Sequence, residues 1–150
     1  MKQYIGTKII QAEPAYRVDG EVFVKANIVP CGVHTEDGYK VVYPDGYESW
    51  SPKDVFEAAY RETSGMNFGL AIEAAKMGKK IARAGWNGKN QYVELGHDFS
   101  YTAPGDIPVR PVQHLDIDSQ ALVFVGTRGR QVGWLASQAD MLADDWMIVE

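Results

Sequence analysis

Arg83 stands two residues ahead of the pair Gly85–Trp86 in the stretch KKIARAGWNGKNQYVEL (79–95), and Asn87, Gly88 and Lys89 follow directly. A guanidinium placed there could pair with a phosphate while the indole stacks on a base, an interaction worth about 1–3 kcal/mol per base. The plain alternative is a core tryptophan beside a helix end, where Lys76, Lys79 and Lys80 favour the C-terminal dipole. That alternative accounts for the lysines but not for Arg83, Asn87 or Lys89. A second glycine–tryptophan pair, Gly133–Trp134, is followed by Ser137, Gln138 and Asp140. Ser137 and Asp140 have the spacing of a capping box, yet the same short polar groups could read base edges or ribose hydroxyls. Phe68, apolar by helical period, falls with Asn67 in a first turn whose N–H groups attract anions. The residues alone leave both readings open.

Other chemistries find less support. His34, His97 and His114 are scattered, and neither HExxH nor CxxC spacing occurs. His114, Asp116 and Asp118 alternate in HLDID, which is compatible with a metal but reads more simply as a solvent-facing strand. There is no GxSxG, Walker loop or dinucleotide fingerprint. The run GKK at Gly78 ends a helix, whereas a phosphate loop must begin one. The single cysteine, Cys31, excludes an internal disulfide and has no catalytic motif around it. A net charge of −5 over 150 residues argues against a protein that wraps polymeric nucleic acid, though not against a small anion in a locally positive pocket. No run approaches the roughly 18 apolar residues of a membrane span. The opening MKQYIGTKII lacks the apolar core of a signal peptide, so a cytosolic protein is expected.

The elements that must carry these side chains read as α+β, with small antiparallel sheets each packed with a helix. VFVKANIV puts Val22, Val24, Ala26 and Ile28 on one side of a half-buried strand. YKVVYPDGYESW is a hairpin about Pro44–Asp45–Gly46. A helix is expected over Pro52–Glu62, with Ser51 as N-cap and Val55, Phe56 and Ala59 buried. TSGM (63–66) is the candidate boundary between domains at 1–65 and 66–150, although charge does not mark it: 7 bases and 10 acids precede residue 66, 8 and 10 follow. NFGLAIEAAKMGKK predicts a second helix from N-cap Asn67 to a stop at Gly78, with Phe68, Ile72 and Ala75 on its apolar face beside Leu70, Ala74 and Met77. Strands are expected at Lys80–Ala84 and Gln91–Leu95, and a long loop over GHDFSYTAPGDIPVRPVQHLDIDS. A hairpin tipped by GTRGR, a short helix over QADMLADD and a last strand WMIVE complete the chain.

Two blocks, MNFGLAIEAAKMGKKIARAGWNGKN and GWLASQADMLADDWMIVE, resemble the phage family of Thoeris anti-defence proteins. Residues 3–62, with YIGTKIIQAEP and GYKVVYPDGYESWSPKDVFEAAYR, resemble a small module of phage and prophage proteins. The resemblance implies a non-enzymatic sponge without a cofactor. Such a protein binds cyclic nucleotide-derived immune signals, notably the glycocyclic ADP-ribose made by TIR-domain proteins, and some members look able to hold cyclic oligonucleotides of other defence systems such as CBASS. It further implies a homotetramer built from dimers with pockets at protomer interfaces, in the cytoplasm of the infected host. Carried onto this chain, an adenine would stack on Phe68 and Trp86. Asn67 and Asn87 would offer hydrogen bonds, Arg83 would face phosphate with Lys89 nearby, and Trp134, Ser137, Gln138 and Asp140 would close the pocket. An enzyme cleaving the same signal and a ligand-free phage structural protein are the competing readings.

Overall fold

The computed structural model describes residues 1–24, 32–96 and 120–150, together with the backbone of two short strands at 101–103 and 107–109. Cys31, His97, His114, Asp116 and Asp118, and the Ala26 and Ile28 of the expected first strand, lie outside the described residues. The chain divides into two compact units, Met1–Arg61 and Glu62–Glu150.

In the first unit β1 (Gln11–Val18), β2 (Glu21–Val24), β3 (Glu36–Val42) and β4 (Glu48–Pro52) form an antiparallel sheet of order β2-β1-β3-β4. The β1–β2 hairpin turns on Asp19 and Gly20, both at positive φ (48° and 89°). That is the aspartate–glycine pairing favoured by two-residue hairpin loops. Pro14, which has no N–H to donate, pairs with Tyr39 of β3 just beyond the Ala15–Val18 stretch that β2 covers. The β3–β4 hairpin closes as the sequence suggests: Gly46 sits at φ 84°, its N–H donates to Tyr43, and Asp45 Oδ1 accepts from Tyr47 N at 3.0 Å. Ala15, Tyr16 and Val41 are buried. Val22 is 39 % exposed, because β2 is a four-residue edge strand, and so is not half-buried as its period suggests.

The first helix, α1 (Lys53–Ala59), is shorter than Pro52–Glu62 and lacks the expected Ser51 cap. Strand pairing reaches Pro52, which faces Gly38, so Ser51 is held in β4 opposite Tyr39 and Pro52 takes the cap position. The ladder wins over the local capping signal. Only Phe56 turns inward, stacked 4.1 Å from Tyr39; Val55 is 60 % exposed and Ala59 is exposed too.

In the second unit α2 (Phe68–Lys76) precedes β5 (Lys80–Arg83) and β6 (Tyr92–Gly96). A hairpin of β7 (Tyr101–Ala103) and β8 (Ile107–Val109) lies within the stretch expected to be loop, since three-residue strands are too short to display a period. Then come β9 (Ala121–Gly126), β10 (Gly129–Val132), α3 (Gln138–Met141) and β11 (Trp146–Val149). Five strands make an antiparallel sheet of order β10-β9-β6-β5-β11. Helix α2 begins where expected, Asn67 Oδ1 accepting from Leu70 N at 2.9 Å, and ends at Gly78 with φ 82°. Its buried residues are Ala71, Ala74 and Ala75, with Phe68 and Leu70 partly buried; Met77 is 46 % exposed. Small side chains let the helix approach a core of Met66, Ile81, Val93 and Trp146. Both units thus have the α+β organisation of small antiparallel sheets with helices.

Candidate ligand site around Trp86

Strand β5 ends at Arg83, and β11 runs beside it with Trp146 facing Arg83. This register brings Asp145 against the next turn. Its carbonyl accepts from Ala84 N at 3.0 Å and its Oδ2 from Gly85 N at 2.9 Å. A side chain at position 85 would put its Cβ 3.1 Å from that oxygen, a tight contact that Asp145 would have to yield to. Trp86 N then donates back to Arg83 O at 3.2 Å, tightening the turn that presents the indole.

The Trp86 ring meets Phe124, Trp134 and Trp146 edge-on, at centroid distances of 5.6, 6.0 and 5.5 Å. Edge-to-face contact suits the quadrupoles of aromatic rings. Trp134 is set by a turn in which both it and Gly133, at φ 80°, donate to Leu122 O. Phe68 joins through Trp146, 5.4 Å away. Trp146 is fully buried while Phe68, Trp86 and Trp134 are half-buried, so the cluster has one wall in the core and another toward the surface.

Asp140 ties this cluster to α3. Ser137 and Asp140 form a reciprocal capping box: Ser137 Oγ accepts from Asp140 N, and Asp140 Oδ2 accepts from Ser137 N and Oγ. The other carboxylate oxygen accepts from Trp86 Nε1 at 3.2 Å and Arg83 Nη1 at 3.0 Å. Arg83 Nε also donates to Asp145 Oδ1 at 2.7 Å, and Nη1 reaches the Ala139 carbonyl. Burial opposes ionisation of Asp140, but hydrogen bonds from Ser137, Arg83 and Trp86 outweigh it and hold the carboxyl below its ordinary range. Arg83 does the same for Asp145, against a smaller effect of burial and with help from Gly85 N–H. The two carboxylates, Asp145 first, raise the Arg83 guanidinium further above its already high value.

The structure therefore brings Arg83, Trp86, Trp134, Ser137 and Asp140 into one bonded cluster, with Phe68 at its margin. Asn67 caps α2. Asn87 and Lys89 are exposed in the loop after Trp86, and Gln138 is exposed at the start of α3. Sequence reasoning missed Asp145, Trp146 and Phe124 as members. The pair Asp145–Trp146, an acid directly before a tryptophan that opens a strand, was the available signal. Among the described residues no group of three or more His, Cys, Asp or Glu could hold a metal ion. An open hollow of about 490 Å³ in the first unit, lined by Lys8, Tyr43, Pro44, Asp45 and Tyr47, includes none of these residues.

The family profile described as the Thoeris anti-defense 2-like domain matches residues 66–149, the stretch that holds the whole cluster. A curated relative, Thoeris anti-defense 2 of Bacillus phage SP01, is 35% identical over 91 residues, covering 56% of this chain and 94% of the relative. On both grounds the chain belongs to the Thoeris anti-defense 2-like family, with the family domain in its second unit.

Proposed function

We propose that this chain is a phage anti-defence protein that binds cyclic nucleotide immune signals and sequesters them without cleaving them. Glycocyclic ADP-ribose made by TIR proteins is the expected ligand, with cyclic oligonucleotides as further candidates. The observation that carries the reading is the half-buried aromatic cluster of Trp86, Trp134 and Phe68, inside the residues matched by the family. Half-buried rings offer faces on which an adenine can stack, and the exposed Asn87, Lys89 and Gln138 beside them supply donors to its ribose and phosphate groups. A sponge needs tight, unreactive binding. The acids of this cluster suit that role, because each is engaged by an arginine and by N–H donors, not poised to move a proton.

The binding unit is a homotetramer whose pockets lie at protomer interfaces. In support, the second unit exposes Leu135 (89 %), Leu142 (79 %), Val132 (52 %) and Met141 (40 %) along one stretch of chain leading into and through α3. Burying such side chains between copies gains about 25 cal/mol per Å² of apolar surface. Residues 1–65 form a separate phage-associated module, and the protein works in the cytoplasm of the infected bacterium. Among the described residues no helix is long and apolar enough to cross a membrane.

The deciding experiment incubates the protein with glycocyclic ADP-ribose, denatures it and analyses what is released. Intact ligand in stoichiometric amount supports sequestration. A linear product that accumulates with turnover makes the protein an enzyme, and an absence of binding or thermal shift with any cyclic nucleotide favours a structural role. Calorimetry against cyclic ADP-ribose isomers and cyclic oligonucleotides then ranks the ligands.

A further inference from the structure

We propose that Asp145 is a positioning residue for the stacking indole of Trp86, and that Arg83 is an internal counter-ion in place of a phosphate contact. This inference deepens the sequestration reading and rests on it.

Three successive N–H groups before the Trp86 side chain are fixed. Two of them, from Ala84 and Gly85, go to Asp145, through its carbonyl and its Oδ2; the third, from Trp86, goes to Arg83 O. The main chain at Trp86 therefore follows wherever Asp145 sits. The far end of the side chain is held separately, by Trp86 Nε1 on Asp140 Oδ1. Arg83 joins the two acids, at 2.7 Å to Asp145 Oδ1 and 3.0 Å to Asp140 Oδ1. One carboxylate aims the backbone and the other aims the ring, and the guanidinium between them keeps the two in register.

The same geometry commits most of Arg83 to the protein's own oxygens. Its Nε and Nη1 donors already meet carboxylate and carbonyl oxygens, and its side chain is only 19 % exposed. One guanidinium against two carboxylates leaves the trio with a charge of −1, so an approaching pyrophosphate meets net repulsion. A ligand oxygen at Nε or Nη1 would have to displace charge-assisted bonds that are among the stronger ones a protein makes, which leaves it only the Nη2 N–H groups. Lys89, exposed in the same loop, is better placed to meet an anion.

The test uses the full chain with Asp145→Ala, Asp145→Asn and Arg83→Gln, read in two ways. The first is the indole N–H resonance of Trp86 in the ligand-free protein, identified by its loss in Trp86→Phe. The second is calorimetric affinity for glycocyclic ADP-ribose. Asp145→Ala is expected to move the Trp86 resonance and weaken binding roughly tenfold or more. Asp145→Asn, which keeps an acceptor for Gly85 N–H, should do less of both and serves if the alanine variant does not fold. Arg83→Gln should move the Trp86 resonance in the ligand-free protein and weaken binding with it, because it releases both carboxylates. An unmoved Trp86 resonance in the Asp145 variants overturns the positioning role. Weakened binding with an unmoved Trp86 resonance in Arg83→Gln puts Arg83 on the ligand and overturns the counter-ion role. If wild-type protein binds no signal the sequestration reading fails by itself, and the resonance still decides whether Asp145 holds Trp86.

Discussion

Asp140 accepts from Arg83, from the Trp86 indole and twice from Ser137, and so couples a helix cap to the aromatic cluster. Removing it does more than uncap α3. Asp140→Ala should lower stability by about 2–3 kcal/mol, because it leaves the indole N–H without its acceptor and takes one of two carboxylates from Arg83. Ser137→Ala loses only the cap, about 1 kcal/mol; denaturant titration compares the two. Acid should act through the same groups. The folded protein holds Asp140 and Asp145 below the ordinary carboxylate value, so their contribution is complete above about pH 4, where the unfolded chain also ionises. It is lost as pH falls through their lowered folded values. Melting temperature should hold steady from neutral pH to about pH 5 and drop below about pH 4, with a shallower drop in Asp145→Asn. At this scale the caps of α2 and α3 were legible, since Asn67 and Ser137 act on N–H groups three residues away. Arg83 was not, because its partners lie 57 and 62 residues along the chain.

Elements were legible wherever the signal is local. The Tyr43–Tyr47 turn, the Asn67 start and Gly78 stop of α2, and the capping box of α3 all follow from short-range chemistry. The start of α1 was misread because strand pairing extends to Pro52 and overrides the cap signal at Ser51. Glycines separate the two kinds of constraint. A Cβ at Gly38 would overlap the Ser51 carbonyl and lie 2.7 Å from the Trp50 ring, both fixed by the sheet. Gly38→Ala should therefore cost about 1–3 kcal/mol or more. The nearest atoms to a Cβ at Gly88 are those of the side-chain amide of Gln91, which can swing aside. Gly88→Ala should stay within about 0.5 kcal/mol of wild type in the same chemical-denaturation assay.

For the whole molecule, the exposed leucines of the second unit set a test of assembly. Leu135→Asp with Leu142→Asp should lower the sedimentation-derived mass if those side chains sit between copies. An unchanged tetramer would place the interface elsewhere, and a wild-type monomer would defeat the interface pocket altogether. Val132, Leu135, Met141 and Leu142 are all exposed, and it is where such side chains form one contiguous patch that they mark a partner surface.

From the sequence by itself came the α+β class, the caps of α2 and α3, the turns, most strands of the second unit, and, through its resemblance to known proteins, the family later shown by comparison. Each rests on interactions within a few residues or on strings long enough to compare. Only the tertiary structure decided what Arg83 faces, that Asp145 belongs beside Trp86, and that Trp146 is the buried centre on which the other rings pack. Those facts depend on β11 pairing with β5, a contact across more than sixty residues. Charge and aromaticity can be read along a chain, but the partner that neutralises a charge is chosen by the register of strands.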